Sequence, residues 1–303
     1  MSFNDMLRPV PGLEMQRPWN LGKVFYVDRL ATHVSDSNEG TDPNHPLNKI
    51  QTAWDKCTNL KNDYVFVINS RAEDNSITGA RTTAHLIGLN LNGFYSVSNI
   101  PRPSADTAMF TFPTAAIRSE IAGFNMNGGA NHGAIETSGS PSVLWIHHNV
   151  FGSEYAGTAT PKYGIYCNHL PTGPTNCLIE DNFFYGTTGM VALGKIDSNA
   201  IYMAACKGLV LRRNVIMGIP GIAINIVGMQ GGTILDNRIS VDSNRAGGAI
   251  TLSAGCVGCW IDGNSAHFGD SGAMNNSPYA DDGSDDNNWG SNTCFGAQEA
   301  PDA

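Results

Sequence analysis

The chain has 303 residues, a formal net charge of −9 and only 15% charged residues, with 34 glycines. Phosphate binding relies on clustered Lys and Arg, so this acidic balance leaves nucleic acid out of the expected partners. No apolar run is long enough to span a membrane, the opening MSFNDMLRPVPGLEMQRPWNLGK lacks the apolar core of a signal peptide, and seven cysteines without a regular framework speak against a disulfide-stapled secreted domain.

Residues 1–22 are proline-rich and unpatterned, and read as an extended arm. KVFYVD predicts a strand. In the following PLNKIQTAWDKCTNL, Leu47, Ile50, Ala53, Trp54, Cys57 and Leu60 recur at helical spacing. This predicts one amphipathic helix over about 47–60, suited to covering the open end of a repetitive β structure. DYVFVINS alternates as a strand, and HLIGLNLNG and IAGFNMNG are near copies 35 residues apart when Leu89 is matched with Phe124.

Five later stretches share one frame: VLWIHHNVFG, CLIEDNFFYG, GLVLRRNVIMG, GTILDNRIS and CWIDGNSAHFG. Each has an aliphatic anchor, two intervening residues, an Asn, one variable residue and then an apolar or small one. The Asn positions are Asn149, Asn182, Asn214, Asn237 and Asn264, at steps of 33, 32, 23 and 27 residues. A second strand precedes each, centred on Ile135, Ile165, Ile201, Ile224 and Ile250, and the count from Ile to Asn is 14, 17, 13, 13 and 14. A constant coil with variable loops is the mark of a solenoid, and two short strands per unit are expected.

Stacking the coils about 4.8 Å apart turns equivalent positions into columns. The inward set is Leu144, Cys177, Leu209, Gly232 and Cys259 before the anchors, with Phe151, Phe184, Ile216, Ile239 and Ala266 after the turn. The five Asn side chains would stack at the turn and bond one another, a structural role. Two columns at the turn carry charge: His147, Glu180, Arg212, Leu235, Asp262, and His148, Asp181, Arg213, Asp236, Gly263. Adjacent His147 and His148 are expected to point apart and to be ordinary surface histidines. Cys256 and Cys259 form a C-x-x-C without a partner pair, and Cys167 aligns with Met203, Ile226 and Leu252, so these thiols are expected in the core and no metal site or cofactor is assigned. Beyond Phe268 the pattern ends in a polar, acidic stretch over 269–303, an irregular C-terminal cap or a tail, whose DDGSDDNN lacks the order of a calcium loop.

YVD, SDSNEGTDPNHPLNKIQTAWDKC and the I-x-x-N coils resemble the pectin-lyase-like, right-handed parallel β-helix superfamily over about residues 23–268. The resemblance implies an all-β fold, a single-stranded right-handed parallel β-helix with an N-terminal capping α-helix. Behind a short, proline-rich arm it looks most like bacteriophage structural proteins, which implies a virion component made in a host cytoplasm. The expected role is a trimeric capsid decoration or cement protein bound to a major capsid protein or other virion protein. A tailspike, or another polysaccharide lyase or glycoside hydrolase acting on a surface glycan, is the alternative.

Two readings compete for the charged columns. Asp181, Arg213 and Asp236 could serve sugar chemistry as paired carboxylates with an arginine, or could compensate one another rung by rung, and the second is expected. Outward positions that should be polar are instead Trp145, Leu178, Val210 and Trp260 before the anchors, and Val150, Phe183 and Val215 after the Asn. Together they are expected to form one apolar stripe, an oligomer or partner interface unless long loops cover it.

Overall fold

A computed structural model describes residues 22–73, 77–79, 81–89, 99–103, 106–114, 116–126, 128–152, 162–186, 196–241, 248–268, 278–282 and 286–295. Each full rung contains three strands, one more than the sequence frame suggested, because the Asn splits what reads as one strand into two that lie on different sheets. The rung Ile224–Val227, Gln230–Leu235, Arg238–Val241 shows the plan. Its strands pair in parallel with their counterparts in the rungs on either side. Three parallel sheets result, here called first (from Val24–Asp28 to Asn288–Trp289), second (from Asn125–Met126 to Thr293–Phe295) and third (from Ile77–Thr78 to Tyr279–Asp281). The fold is a parallel β-helix.

Register fixes the interior. Ile121, Ile146, Ile179, Leu211, Ile234 and Ile261 stand directly above one another in the first sheet and are all buried. Phe151, Phe184, Ile216, Ile239 and Ala266 do the same in the second, with the two phenylalanine rings stacked 4.5 Å apart. Ile135, Ile165, Ile201, Ile224 and Ile250 form the third column. Burying one such side chain is worth about 1.5–3 kcal/mol before entropy, so each rung contributes through three columns at once. Cys167, Cys177, Cys256 and Cys259 are buried free thiols, and burial pushes each of them upward in pKa.

The corner between first and second sheets is built by two residue types. His148, Asp181, Arg213 and Asp236 take left-handed backbone, φ 53–54°, with Gly263 at 68°. The Asn that follows repairs the hydrogen bonding this bend interrupts. Asn214 is fully buried; its Oδ1 accepts from the backbone N–H and the Nδ2 of Asn182, and its Nδ2 donates to the Ile179 carbonyl and to Asn237 Oδ1. The same pattern links Asn149, Asn182, Asn237 and Asn264. Phe124 opens the ladder through its N–H to Asn149 Oδ1.

The N-terminal helix is shorter than the periodicity predicts, Ile50–Lys56, and buries Ile50, Ala53 and Trp54. Leu47 is buried by a bridge to Val27 rather than on the helix, while Leu60 has left-handed backbone and is 71% exposed. At the other end the coil continues one rung past 268, with Tyr279–Asp281, Asn288–Trp289 and Thr293–Phe295. Asn292 is the sixth member of the Asn ladder and accepts from Asn264. The expected arm over 1–22, apart from Gly22, and the tail beyond 295 lie outside the described residues. No helix among the described residues is long and apolar enough to cross a membrane.

Candidate functional site

The outer face of the first sheet carries two columns, because side chains alternate across a strand. One runs Tyr64, His85, Glu120, Trp145, Leu178, Val210, Thr233, Trp260; the other includes Ala122, His147, Glu180, Arg212, Leu235 and Asp262. Polar groups of these columns join across rungs. Asn62 Oδ1 lies 2.7 Å from His85 Nε2, His85 Nδ1 lies 2.5 Å from Glu120, and Glu120 Oε1 lies 2.7 Å from His147 Nε2. His147 Nδ1 in turn lies 2.7 Å from His148 Nδ1. Two aromatic rings brace this chain: Tyr64 stacks on His85 at 4.3 Å and Trp145 on His147 at 4.0 Å.

A second group follows on the next rungs. Glu180 accepts from Trp145 Nε1 at 2.9 Å, from Arg212 Nε at 2.7 Å and from Arg213 at 2.6 Å. Arg213 also grips Asp181 with Nε at 2.9 Å and a terminal nitrogen at 2.7 Å. Planar guanidinium against carboxylate is the strong, two-point form of the ion pair.

These contacts set the charge states. Burial pushes the Glu120 carboxyl upward, but hydrogen bonds from His147 and His85 outweigh it and hold the group at about 2. Burial likewise opposes, and the bonds from Arg212 and Trp145 overcome, at Glu180, which sits below the ordinary range. The Arg213 hydrogen bond depresses Asp181. His148 is lowered by burial and by the neighbouring His147. A general acid for sugar cleavage needs a carboxyl held protonated near neutral pH, and each of these three carboxylates is held ionised with its oxygens spent on donors.

Of the three weak catalytic candidates, Asp181 and Arg213 meet. Asp236 occupies the next rung of the same column, yet among the described residues no hydrogen bond or ion pair joins it to Arg213. Compensation therefore runs toward the preceding rung only. His147 and His148 do not point apart, because the left-handed backbone of His148 breaks the strand alternation and returns its ring to its neighbour. His85 and Glu120 were not singled out from sequence, although extending the Trp145 column upward through IAGFN and HLIGL reaches both.

The expected apolar stripe divides in two. Trp145, Leu178, Val210 and Trp260 lie on the first sheet, Val150, Phe183 and Val215 on the second, and the charged columns and the corner run between them. Trp260 is 48% exposed and is separated from Val210 by Thr233, while Val150 is buried. Leu178, Val210, Phe183 and Val215 are half-buried. The second-sheet row continues into Tyr185, whose ring lies 4.3 Å from Phe183, and Met217, 44% exposed. It opens on a shallow groove of about 420 Å³ lined by Met217, Arg238, Ser240, His267 and Phe295 among others. Residues 153–161 and 187–195, the segments expected to cover the stripe if anything does, lie outside the described residues.

The third sheet bears its own aromatic row. Tyr163 stacks on Tyr166 at 4.3 Å, Tyr166 meets Tyr202 at 5.3 Å, and Lys162 stands over the Tyr163 ring at 5.6 Å. No group of three or more His, Cys, Asp or Glu among the described residues is arranged to hold a metal ion.

No protein-family model matches the sequence, and no curated protein matches it. Among solved structures the chain is similar to the crystal structure of the Dettilon tailspike protein (gp208), at 14% identity and a TM-score of 0.36, over 77% of this chain and 58% of that one. The chain thus spans somewhat more than half the length of that protein.

Proposed function

We propose that this chain is a bacteriophage virion structural protein, a β-helix that associates as a trimer and decorates or cements the capsid. The observation that carries this is the presence of outward-pointing apolar rows on two sheets that share an edge. A prism that packs around a threefold axis presents one edge to the axis and one sheet to each neighbour. The first-sheet row of Trp145, Leu178 and Val210 then meets the second-sheet row of Phe183 and Val215 of the next copy, and the contact closes after three. The edge between the rows carries Arg212 and Arg213 already paired with Glu180 and Asp181, so it can line a hydrated axis with no unpaired guanidinium of these two, while the rows on either side make the apolar contact. Trp145 and Phe183 are the kind of aromatic anchors that dominate such interfaces.

Leu178→Lys and Phe183→Glu test the arrangement. Each alone is expected to dissociate the trimer, and the double variant to restore it, because the two rows face each other across the same contact. Dissociation by neither single variant removes the reading. Saturable cosedimentation of the labelled chain with purified capsids tests the role in the virion, and loss of that binding in the dissociating variants is expected.

A glycan-binding role, as a tailspike or another carbohydrate-active protein, is the second reading. The tyrosine row on the third sheet favours it, since aromatic rings with hydroxyl edges suit the faces of sugar rings. Loss of binding to a panel of surface polysaccharides on Tyr166→Ala would support it.

A further inference from the structure

We propose that His147 and His148 are a chelating pair for a divalent transition-metal ion of the borderline class, Cu²⁺, Ni²⁺ or Zn²⁺, with Glu120 as the carboxylate behind it. Glu120 is ionised and can only accept, so its 2.7 Å contact to His147 Nε2 places the ring proton there. In the neutral ring the lone pair is then on Nδ1, the atom that faces His148 Nδ1 at 2.7 Å. This is the arrangement in which a carboxylate fixes the tautomer and plane of a metal-binding imidazole from its far side. The plane is further fixed by the Trp145 ring at 4.0 Å, and Glu120 is itself anchored through His85 to Asn62.

The second ligand comes from the corner. His148 has φ 53°, which turns its ring back toward His147, and the residue is exposed on its outer side. Without a metal, one proton bridges the two nitrogens. A metal ion takes that proton's place once His148 carries its hydrogen on Nε2. Bonds of about 2.0–2.1 Å require a nitrogen separation of roughly 2.9–3.4 Å, so the exposed ring moves outward by a few tenths of an ångström. Water fills the remaining positions from the open side. The charges facing the pair are Glu120, Glu180 and Asp181 against Arg212 and Arg213, which leaves one net negative charge around the cation. With two protein ligands, affinity follows the general order for nitrogen sites, Cu²⁺ tightest.

The test is calorimetric titration of the tag-free, metal-stripped full chain with Cu²⁺ and Zn²⁺, alongside His148→Asn, Glu120→Gln and His267→Ala. Asn tolerates left-handed backbone, so His148→Asn keeps the corner while removing the ligand. One tight Cu²⁺ per wild-type chain is expected, with two nitrogen couplings in its electron paramagnetic resonance spectrum. His148→Asn loses this site, Glu120→Gln weakens it by about 10- to 100-fold, and His267→Ala leaves it unchanged. Absence of the site in the wild type, or equal binding by folded His148→Asn, overturns the proposal. If Glu120→Gln does not fold, the His148→Asn comparison alone decides.

Discussion

Asn214→Ala removes a side chain that is fully buried and saturated. Its Oδ1 accepts two hydrogen bonds from Asn182, at 3.1 Å each, and its Nδ2 donates to the Ile179 carbonyl at 3.0 Å, to Asn237 Oδ1 at 3.0 Å and to the Arg212 carbonyl at 3.2 Å. The variant leaves the Asn182 backbone N–H and the Ile179 carbonyl without those partners. Asn237 Oδ1 retains the Asn214 backbone N–H, and Asn182 Nδ2 retains the Ile146 carbonyl. A buried polar group left unmade costs about 1–3 kcal/mol, and the Ile179 carbonyl keeps its ladder partner, so the orphaned Asn182 N–H and the lost side-chain contacts sum to roughly 2–4 kcal/mol. That is a large part of the 5–15 kcal/mol typical of a folded domain. Urea unfolding followed by circular dichroism reads it as a fall in midpoint at constant slope. Asn292, at the end of the ladder and only partly buried, is the internal control, with an expected cost of about 1 kcal/mol. A penalty below about 1 kcal/mol at Asn214 would refute the idea that the amide ladder holds the corner together.

Other expectations follow from the same columns. Gly152→Ala meets two obstacles, φ 81° and a Cβ 2.2 Å from the Tyr185 carbonyl oxygen, whereas Gly231→Ala meets only φ 55° with open space around it. Thermal unfolding should show a cost of about 1–2 kcal/mol for Gly231→Ala and clearly more for Gly152→Ala, and equal costs would contradict the close rung-to-rung approach at Gly152. In the native chain a thiol reagent should label Cys294 first and Cys57, Cys167, Cys177, Cys206, Cys256 and Cys259 only on unfolding; rapid labelling of any of those six would place it outside the core. Glu180 and Asp181 have depressed folded pKa values, so their stabilisation is present above the ordinary carboxylate range and is lost as pH falls through the folded values. The penalty of Arg213→Ala, about 1 kcal/mol at pH 7 given its half-exposed side chain, should therefore shrink below roughly pH 4, and a penalty constant down to pH 2 would speak against the ion pairs.

Much of this molecule is legible in its sequence because a β-helix repeats its physics. Ile146, Ile179, Leu211, Ile234 and Ile261 announce the core column, and an Asn three residues later announces the corner. Where chemistry varies at a fixed position, legibility fails. The last rung uses Trp289 rather than an aliphatic anchor before Asn292, so its frame is masked by a polar, acidic neighbourhood. Leu60 has helical spacing from Cys57, but the helix ends at Lys56 and the chain has already turned. The meeting of His147 with His148 depends on one left-handed residue, and the hint was indirect: Gly263 occupies that column in the fifth coil. Splitting of the apolar stripe has the same origin, since the bend that strand alternation cannot foresee sends the two rows to different sheets.

Sedimentation equilibrium of the purified full-length chain, at low and high salt, tests the central claim most directly. A mass three times that of the chain, unchanged as salt rises, is the predicted result, because apolar rows rather than exposed ion pairs would hold the copies together. A monomer at every salt concentration would contradict the assembly, and with it the role proposed for Trp145, Leu178, Val210, Phe183 and Val215.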